Sequence, residues 1–243
     1  ELVQELKYFA EIISNALENK KVTLQINEQI QFEHLLSEIS ATYINIPVKN
    51  IDSNIRTHLG RLGRFLKADR CVLYLASENK NVFEFSPLLS WWHEEDTEFY
   101  SEVVKWAMDT KTLEDNVYKD FQYSFDKWSK GEHLQVTSLD DLPKEAEKQK
   151  TIYQKFGIKS FISIPMTVGG APVGALVVLT TRVHRTWPEN LISRIRLVGE
   201  IFGNALGRKK SEGSLQNALS EIKKLKEQLE AEVIYLTEEK VKR

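Results

Sequence analysis

Residues 157–181 constrain the fold of this chain more than any other stretch. Two apolar segments, 160–166 and 173–179, flank a short connection that contains the pair Gly169-Gly170. Two successive glycines permit the positive φ angles of a tight hairpin turn. The segments are apolar on both faces, so other elements must cover both sides of the sheet that they form. The sequence therefore predicts a central antiparallel hairpin buried on both sides.

The composition limits the classes of function. A chain of 243 residues with 42% hydrophobic content can bury one sizeable core and still carry extended appendages. Its net charge of −2 argues against direct nucleic-acid binding. The single cysteine, Cys71, excludes an intrachain disulfide and suits a reducing cytosol. No apolar run approaches the ~18 residues of a membrane span. We expect a cytoplasmic protein without a membrane segment, and a piece of a longer chain, since it begins without Met.

The first 21 residues repeat a segment near the other end of the chain. Residues 1–21 align without a gap with residues 190–210. Two amphipathic helices can coincide by chance; alternatively, residues 1–21 are the closing helix of a preceding homologous domain. The identical residues are Leu2, Glu11, Ile12, Asn15, Ala16, Leu17, Lys20 and Lys21, which match Leu191, Glu200, Ile201, Asn204, Ala205, Leu206, Lys209 and Lys210.

Most elements before the hairpin are predicted from apolar spacing and from turn residues. Pro87 predicts a bulge or an edge position within its strand. A weakly patterned segment, 22–27, separates the first helix from the second. The expected elements are helices over 28–45 and 50–67, strands over 70–76, 82–92 and 133–137, and a helix that has Asp141 as its N-cap and ends near Gly157.

Residues 93–132 carry many aromatic side chains among charges, without a helical or strand period. We interpret this segment as a lid packed on one face of the sheet. Small-molecule pockets are mostly apolar with a few polar anchors, and ordinary core packing is the alternative for each candidate. The residues best suited to line such a pocket are Trp91, Trp92, His93, Phe121, Trp128 and Ser163.

Catalytic and metal-binding patterns do not occur in the sequence. It contains no phosphate-binding loop, no nucleophile elbow and no paired-carboxylate motif. The five histidines lack the spacing of metal ligands. We therefore expect neither an enzyme nor a metal site.

The sequence from residue 188 onward predicts a long helix that contributes to a dimer interface. In the helix predicted over 188–208, Gly199, Gly203 and Gly207 recur every four residues, and each costs about 0.5–1 kcal/mol relative to alanine. Another helix backbone that approaches closely would compensate for this cost. Leucine and isoleucine then recur every seven residues, which favours a two-stranded coiled coil over a helix lying on its own domain. The expected dimer interface comprises Gly199, Gly203, Leu215, Ile222, Leu225, Leu229 and Leu236.

Several of these segments together resemble a GAF domain over about residues 30–210. More narrowly, they are similar to GAF domains of bacterial sensor histidine kinases and sigma-54-dependent transcription activators. The resemblance implies an α+β fold: a six-stranded antiparallel sheet with helices on both faces, terminal helices often at a dimer interface, and a small-molecule pocket on the other side. It rests on RCVLYL at 70–75, SWW at 90–92, VTSLDDLPKEAEKQ at 136–149, GIKSFISIPMTVGGAPVGALVV at 157–178 and TWPENLISRIRLVGEIFGNALGRK at 186–209.

The resemblance also implies a domain organisation and a function. We expect an N-terminal helix and linker over 1–29, a GAF sensor domain over 30–208 and a coiled-coil signalling helix over 209–243. As a homodimer, such a module would relay binding of an unidentified small molecule to a downstream ATPase or histidine-kinase domain. The alternative is a ligand-free module for constitutive dimerisation and spacing.

Overall fold

The computed structural model describes residues 2–79, 82–93 and 117–241. Helices cover both faces of an antiparallel sheet in the strand order β2-β1-β5-β4-β3. The sixth strand that the resemblance implies is not among these described residues. The elements are α1 (Leu2–Asn45), α2 (Ile51–Phe65), β1 (Arg70–Asn79), β2 (Val82–Trp92), α3 (Val117–Ser129), β3 (Leu134–Val136), α4 (Glu147–Lys155), β4 (Ser160–Val168), β5 (Ala171–Thr180) and α5 (Glu189–Val241).

The predicted hairpin is present as β4 and β5. Its turn places Gly169 and Gly170 at φ angles of 59° and 84°, which side chains with a Cβ rarely adopt. β5 also pairs with β1, so the hairpin lies inside the sheet. Both expectations for Pro87 are met, because the β1–β2 register shifts beside it and β2 is an edge strand within the described part of the sheet.

One face of the sheet, which we call the terminal-helix face, is covered by α1, α2 and α5. Alternate residues of the strands point to it, as the two-residue period of a strand requires. Its core is mainly aliphatic, with Ile39 of α1, Leu59 of α2 and Ile195 of α5 all fully buried. In the described parts of the chain, four of its 25 buried residues are aromatic: Phe32, Tyr43, Trp187 and Phe202. Cys71 of β1 is buried here as a small apolar residue, as expected.

The opposite face, which we call the α3 face, is covered by α3, α4 and the segment between β3 and α4. The strand residues between those of the first face point here, among them Phe161 and Val177. Among the described residues, six of its fifteen buried hydrophobic side chains are aromatic. Aromatic side chains therefore make up a larger share of this face than of the terminal-helix face.

Helix α1 corrects the expected division of the N-terminal region. It runs without interruption from Leu2 to Asn45, through the weakly patterned residues 22–27. Phe32 contacts Arg194, and the Ile44 carbonyl accepts a hydrogen bond from Arg208, so α1 and α5 lie side by side in the same direction. The exposed first part of α1 and the exposed last part of α5 consequently leave the domain at opposite ends.

The glycines of α5 do not face another helix. A Cβ on Gly203 would lie 3.2 Å from Cβ of Met166 in β4 and 3.4 Å from Cγ2 of Val173 in β5, closer than ordinary carbon contacts. Gly199 and Gly203 are buried within the single chain. The expectation that they form a dimer interface is therefore wrong, because the chain's own sheet makes the close approach.

Two further expectations need correction around β3. The first helical turn after β3 is capped by Ser138, not by Asp141: Asp140 N–H donates to Ser138 Oγ, and Asp141 Oδ2 accepts from Ser138 N–H. A short 3₁₀ turn over Lys144–Ala146 then leads into α4. The predicted end of that helix is confirmed, since Gly157 has a φ of 60° just beyond it.

The expected lid, residues 93–132, is in part a regular helix. Residues 94–116 lie outside the described residues, but Val117–Ser129 form α3. Phe121, Ser124, Phe125 and Trp128 are buried along one side of α3, at the three- and four-residue spacing of a helix. The expectation of an unperiodic aromatic segment is therefore wrong for this part.

Candidate functional site

The six residues predicted to line a pocket do not come together, because the sheet separates them. Trp91 points to the terminal-helix face, where its ring covers α2 at Gly60 and Gly63. A Cβ on Gly63 would lie 2.1 Å from the Trp91 ring, so only glycine permits this packing. His93 lies on the same side, with its ring edge-on to Trp91 at 6.4 Å. Trp91 and His93 are thus remote from the α3 face.

Trp92 lies on the other side of β2, as its position next to Trp91 requires. The Arg70 guanidinium stacks 4.6 Å from the Trp92 ring centre. Arg70 also donates to the Phe156 carbonyl at the end of α4, at 3.3 Å. The buried Arg70 side chain therefore connects the start of β1 to the end of α4 on the α3 face.

The other three predicted residues, Phe121, Trp128 and Ser163, do meet on the α3 face. Trp128 Nε1 donates a hydrogen bond of 2.9 Å to Ser163 Oγ. Phe125 lies between Phe121 and Trp128 on α3, with its ring centre 6.3 Å from that of Phe121 and 5.4 Å from that of Trp128. The ring of Tyr74 packs 5.3 Å from Trp128 and closes the row against β1.

A buried polar cluster between α3 and α4 was not predicted from the sequence. Gln149 Nε2 donates to Ser124 Oγ at 2.7 Å, and both side chains are fully buried. Gln149 Oε1 has no hydrogen-bond partner among the described residues. Burial raises the pKa of the neighbouring Tyr153 hydroxyl above its ordinary value. The sequence signal for this cluster is the helical spacing of Phe121, Ser124 and Trp128, which the polar Ser124 partly obscures.

These side chains give the α3 face the character of a filled core. Trp128 and Phe161 are almost fully buried, and Tyr153 stacks edge-on against Phe161 at 4.8 Å. Burial raises the pKa of the Tyr74 hydroxyl to about 12. The residues expected to surround a ligand instead contact one another.

A buried carboxylate fixes the segment that leads into α5. Asp69 Oδ2 accepts from the backbone N–H groups of Thr181 and Arg182, at 2.7 and 3.1 Å, and Oδ1 accepts from Arg182 Nε at 2.5 Å. Burial opposes the charged form, but these hydrogen bonds outweigh it and hold the pKa of Asp69 below its ordinary value. The start of β1 and the end of β5 are therefore held together.

The point where α5 leaves the domain is tied to the adjoining helices. Arg208 donates to the carbonyls of Ile44 and Ile46 at 3.3 and 2.8 Å, which satisfies free carbonyls at the end of α1. Lys209 pairs with Asp52 of α2 at 2.5 Å. These contacts connect α5 to the end of α1 and to the start of α2 at the point where α5 leaves the domain.

Beyond this point the predicted coiled-coil seam is exposed on α5. The helix continues unbroken to Val241, as expected. The side chain of Leu236 lies outside the described part. The other predicted seam residues, Leu215, Ile222, Leu225 and Leu229, are more than half exposed.

Neither a metal-binding cluster nor a membrane-spanning helix occurs in the described parts of the chain. No group of three or more His, Cys, Asp or Glu side chains there is arranged to hold a metal ion. None of the helices in these parts is long and apolar enough to cross a membrane.

The comparisons with known proteins identify the family. The family model of the GAF domain matches residues 50–206, and the chain belongs to this family. GAF domains are regulatory sensor modules. No curated protein matches the chain.

Solved GAF domains share the fold at low sequence identity. The phycoerythrobilin-bound GAF domain of a cyanobacterial phytochrome is 13% identical, with a TM-score of 0.55 over 76% of this chain and 99% of that one. The GAF domain of a phosphoenolpyruvate-protein phosphotransferase from Coxiella burnetii is also 13% identical, with a TM-score of 0.52 over 76% and 98%. GAF3 of Slr1393 from Synechocystis sp. PCC6803, in its photoproduct state, is 16% identical, with a TM-score of 0.51 over 70% and 99%.

Proposed function

We propose that this chain is a dimeric regulatory module of a bacterial cytoplasmic signalling protein. Its GAF domain senses a small molecule and biases a downstream output domain through a coiled coil formed by the end of α5. That output is transcription activation by an ATPase domain or signalling by a histidine kinase of the two-component type. The module itself is not an enzyme and binds neither nucleic acid nor a membrane.

The observation that carries this proposal is the continuity of α5. Val198 and Phe202 of this helix are buried against the sheet, while the seam residues Ile222 and Leu229 are exposed on the same unbroken helix. A change in packing at the sheet can therefore be transmitted to the seam along one continuous helix. The ligand can shift the seam only by its differential affinity for the two arrangements, typically about 1–3 kcal/mol.

A second candidate function is favoured by the filled α3 face. Because Trp128, Phe125 and Tyr153 occupy the layer where a ligand was expected, the module would then serve as a ligand-free dimerisation unit and spacer. Native mass spectrometry and a thermal-shift screen of the purified chain separate the two functions. A co-purified small molecule or a specific upward shift supports the sensor, and no response to metabolites or nucleotides supports the spacer.

The relay is tested in the full-length protein by changing the phase of the helix. Deleting four residues within 219–230 rotates the seam relative to the domain, and we expect it to uncouple output from the input state. Deleting seven residues in the same region shortens the helix but keeps the heptad phase, which makes it the matched control. Output is measured as ATPase or autophosphorylation activity. Normal regulation after the four-residue deletion would mean that the coil is only a tether.

Dimerisation is tested separately by sedimentation of the chain. We expect a dimer at micromolar concentration, and Leu225→Asp should shift it toward monomer because a charge at the seam must be desolvated. Lys224→Asp, on the exposed neighbouring position, is the control. A monomeric wild-type chain would contradict the proposed homodimer.

A further inference from the structure

The first part of α1 has a row of apolar side chains that nothing in the described structure covers. Leu6, Phe9, Ile13 and Leu17 are 61%, 62%, 58% and 63% exposed. Their spacing of three and four residues places them on one face of the helix. A stripe of this width normally faces a core.

The internal repeat gives this stripe a defined counterpart within the same chain. In the gapless alignment, Leu6, Phe9, Ile13 and Leu17 fall on residues of α5 that pack against the sheet and are 0%, 0%, 0% and 4% exposed. The counterparts are, in the same order, Ile195, Val198, Phe202 and Leu206. The apolar residues of α1 thus occupy the same aligned positions as the residues with which α5 packs on its own sheet.

The positions of closest approach also correspond. Gly199 and Gly203 of α5 face Met166 of the sheet, and the alignment places Ala10 and Ser14 there in α1. A Cβ at Gly199 would lie 3.6 Å from the nearest side-chain atom, which is ordinary contact distance, so alanine fits at this position. A Cβ at Gly203 would lie 3.2 Å from Cβ of Met166, so serine there requires the facing strand residue to lie a few tenths of an ångström further away. Both positions of α1 thus carry small residues, as a helix that packs closely on a sheet requires. At Gly207 the correspondence ends, since Glu18 is aligned with it.

The identities extend to positions that packing does not require. Glu11 and Asn15 match Glu200 and Asn204, all four of which are exposed. A coiled-coil seam formed with a second copy could use the same apolar face, but it would not require matching residues on the solvent side. The agreement on both sides of the helix therefore favours shared ancestry with α5.

From these observations we infer that residues 2–21 of α1 are the closing helix of another GAF-type domain, the preceding domain, formed by residues that precede residue 1. The occupant of the exposed stripe is the apolar sheet face of that preceding domain. α1 would then be one rigid helix that begins on the sheet of the preceding domain and, from Phe32 onward, packs on the GAF domain of residues 50–206. The inference is independent of the ligand and of the output domain.

Thiol labelling tests this inference, because Cys71 is fully buried and leaves an introduced cysteine as the accessible thiol. Ile13→Cys lies within the stripe, and Glu11→Cys lies on the exposed side as the matched control. In the chain of residues 1–243 we expect both cysteines to react rapidly. In the natural polypeptide that retains the preceding residues, we expect Ile13→Cys to react at least about tenfold more slowly, while Glu11→Cys is unchanged.

Leu17→Cys provides a second position, in case Ile13→Cys disturbs the longer protein, and it should show the same protection. Equal labelling of stripe and control in the longer polypeptide would overturn the inference. Protection that already occurs in the chain of residues 1–243 and increases with protein concentration would also overturn it, since a second copy would then be the occupant.

Discussion

The two faces of the sheet differ in the way they are packed. The terminal-helix face is mainly aliphatic, and the row of glycines in α5 lets that helix lie directly on Met166 of the sheet. The α3 face is richer in aromatic residues and encloses polar side chains, including Ser163, Ser124 and Gln149. Aliphatic packing at close distance makes a stiff joint to helices that leave the domain. Aromatic rings with hydrogen-bonding groups resemble the lining of a ligand site, although here they contact one another.

The largest expected effect tests whether the α3 face is core. Trp128→Ala removes the largest buried side chain of α3, so we expect it to lower the free energy of unfolding by about 3–5 kcal/mol. Gln122→Ala, on the exposed side of the same helix, should have little effect. Chemical denaturation measures both variants. If Trp128→Ala were as stable as the control, α3 would be a loosely held lid and the contrast between the faces would disappear.

The second prediction concerns the sheet that separates the faces. Asp69→Ala leaves the Thr181 and Arg182 N–H groups without their carboxylate, and we expect a loss of about 1.5–3 kcal/mol at neutral pH. The Asp69 pKa lies below the ordinary value of 3.8 in the folded state. Its contribution is therefore fully present above pH 3.8 and is lost as the pH falls through the folded-state pKa.

Denaturation at pH 7 and below pH 3.8 measures this contribution of Asp69. Asp126→Ala, an exposed carboxylate on α3, is the control. The difference between the Asp69→Ala chain and the wild type should shrink at the lower pH. A constant difference would mean that the carboxylate charge is not what stabilises the junction.

The third prediction tests the close approach on the terminal-helix face. Gly203→Leu places a branched side chain against Met166 and Val173, so we expect overpacking to cost about 1–3 kcal/mol. Gly213→Leu, on the same helix, meets no atom within 4 Å. That control should gain up to about 1 kcal/mol from helix propensity. Thermal unfolding of both variants checks the pair, and equal melting temperatures would show that the row of glycines is not required for packing.

The sequence predicts the elements whose signals are local. The Gly169-Gly170 turn and the helix stop at Gly157 each depend on backbone chemistry within a few residues. The hairpin follows from two apolar runs, and the helix over 50–67 follows from a clear helical period; the structure places both within a few residues of their predicted bounds. The sequence also correctly indicates that α5 continues into the C-terminal segment without a break.

Predictions that needed the identity of a distant partner were less successful. Three glycines in a helix require a close neighbour, but nothing local distinguishes a partner helix from the chain's own sheet. Ser124 obscures the buried stripe of α3 in the sequence, because a polar residue is normally expected at an exposed position although Ser124 is fully buried. Trp91 and Trp92 cannot line the same pocket, because adjacent residues of a strand face opposite sides of the sheet.

The smallest expected effect concerns the one buried histidine of the terminal-helix face. His58 Nδ1 shares a hydrogen bond of 3.2 Å with the Tyr43 hydroxyl, and the Tyr43 ring packs against Phe202 of α5. Burial lowers the pKa of His58 from its ordinary value of 6.5, and Arg61 lowers it further. Glu38 acts in the opposite direction but is engaged by Arg61. The interface of α1, α2 and α5 thus contains one group that resists protonation.

The sign of the pH dependence follows from this lowered pKa. As the pH falls below 6.5, the unfolded chain protonates at His58 while the folded chain stays neutral, so the free energy of unfolding decreases by up to about 1.4 kcal/mol per pH unit. The loss ends at the folded-state pKa of His58. His58→Gln cannot titrate and should remove this slope, whereas His34→Gln, exposed on α1, should retain it. The free energy of unfolding of the wild type and of both variants, measured between pH 7 and pH 5, tests this prediction. If the slope were unchanged in His58→Gln, the acid sensitivity would originate elsewhere and the terminal-helix face would be as insensitive to pH as its aliphatic core suggests.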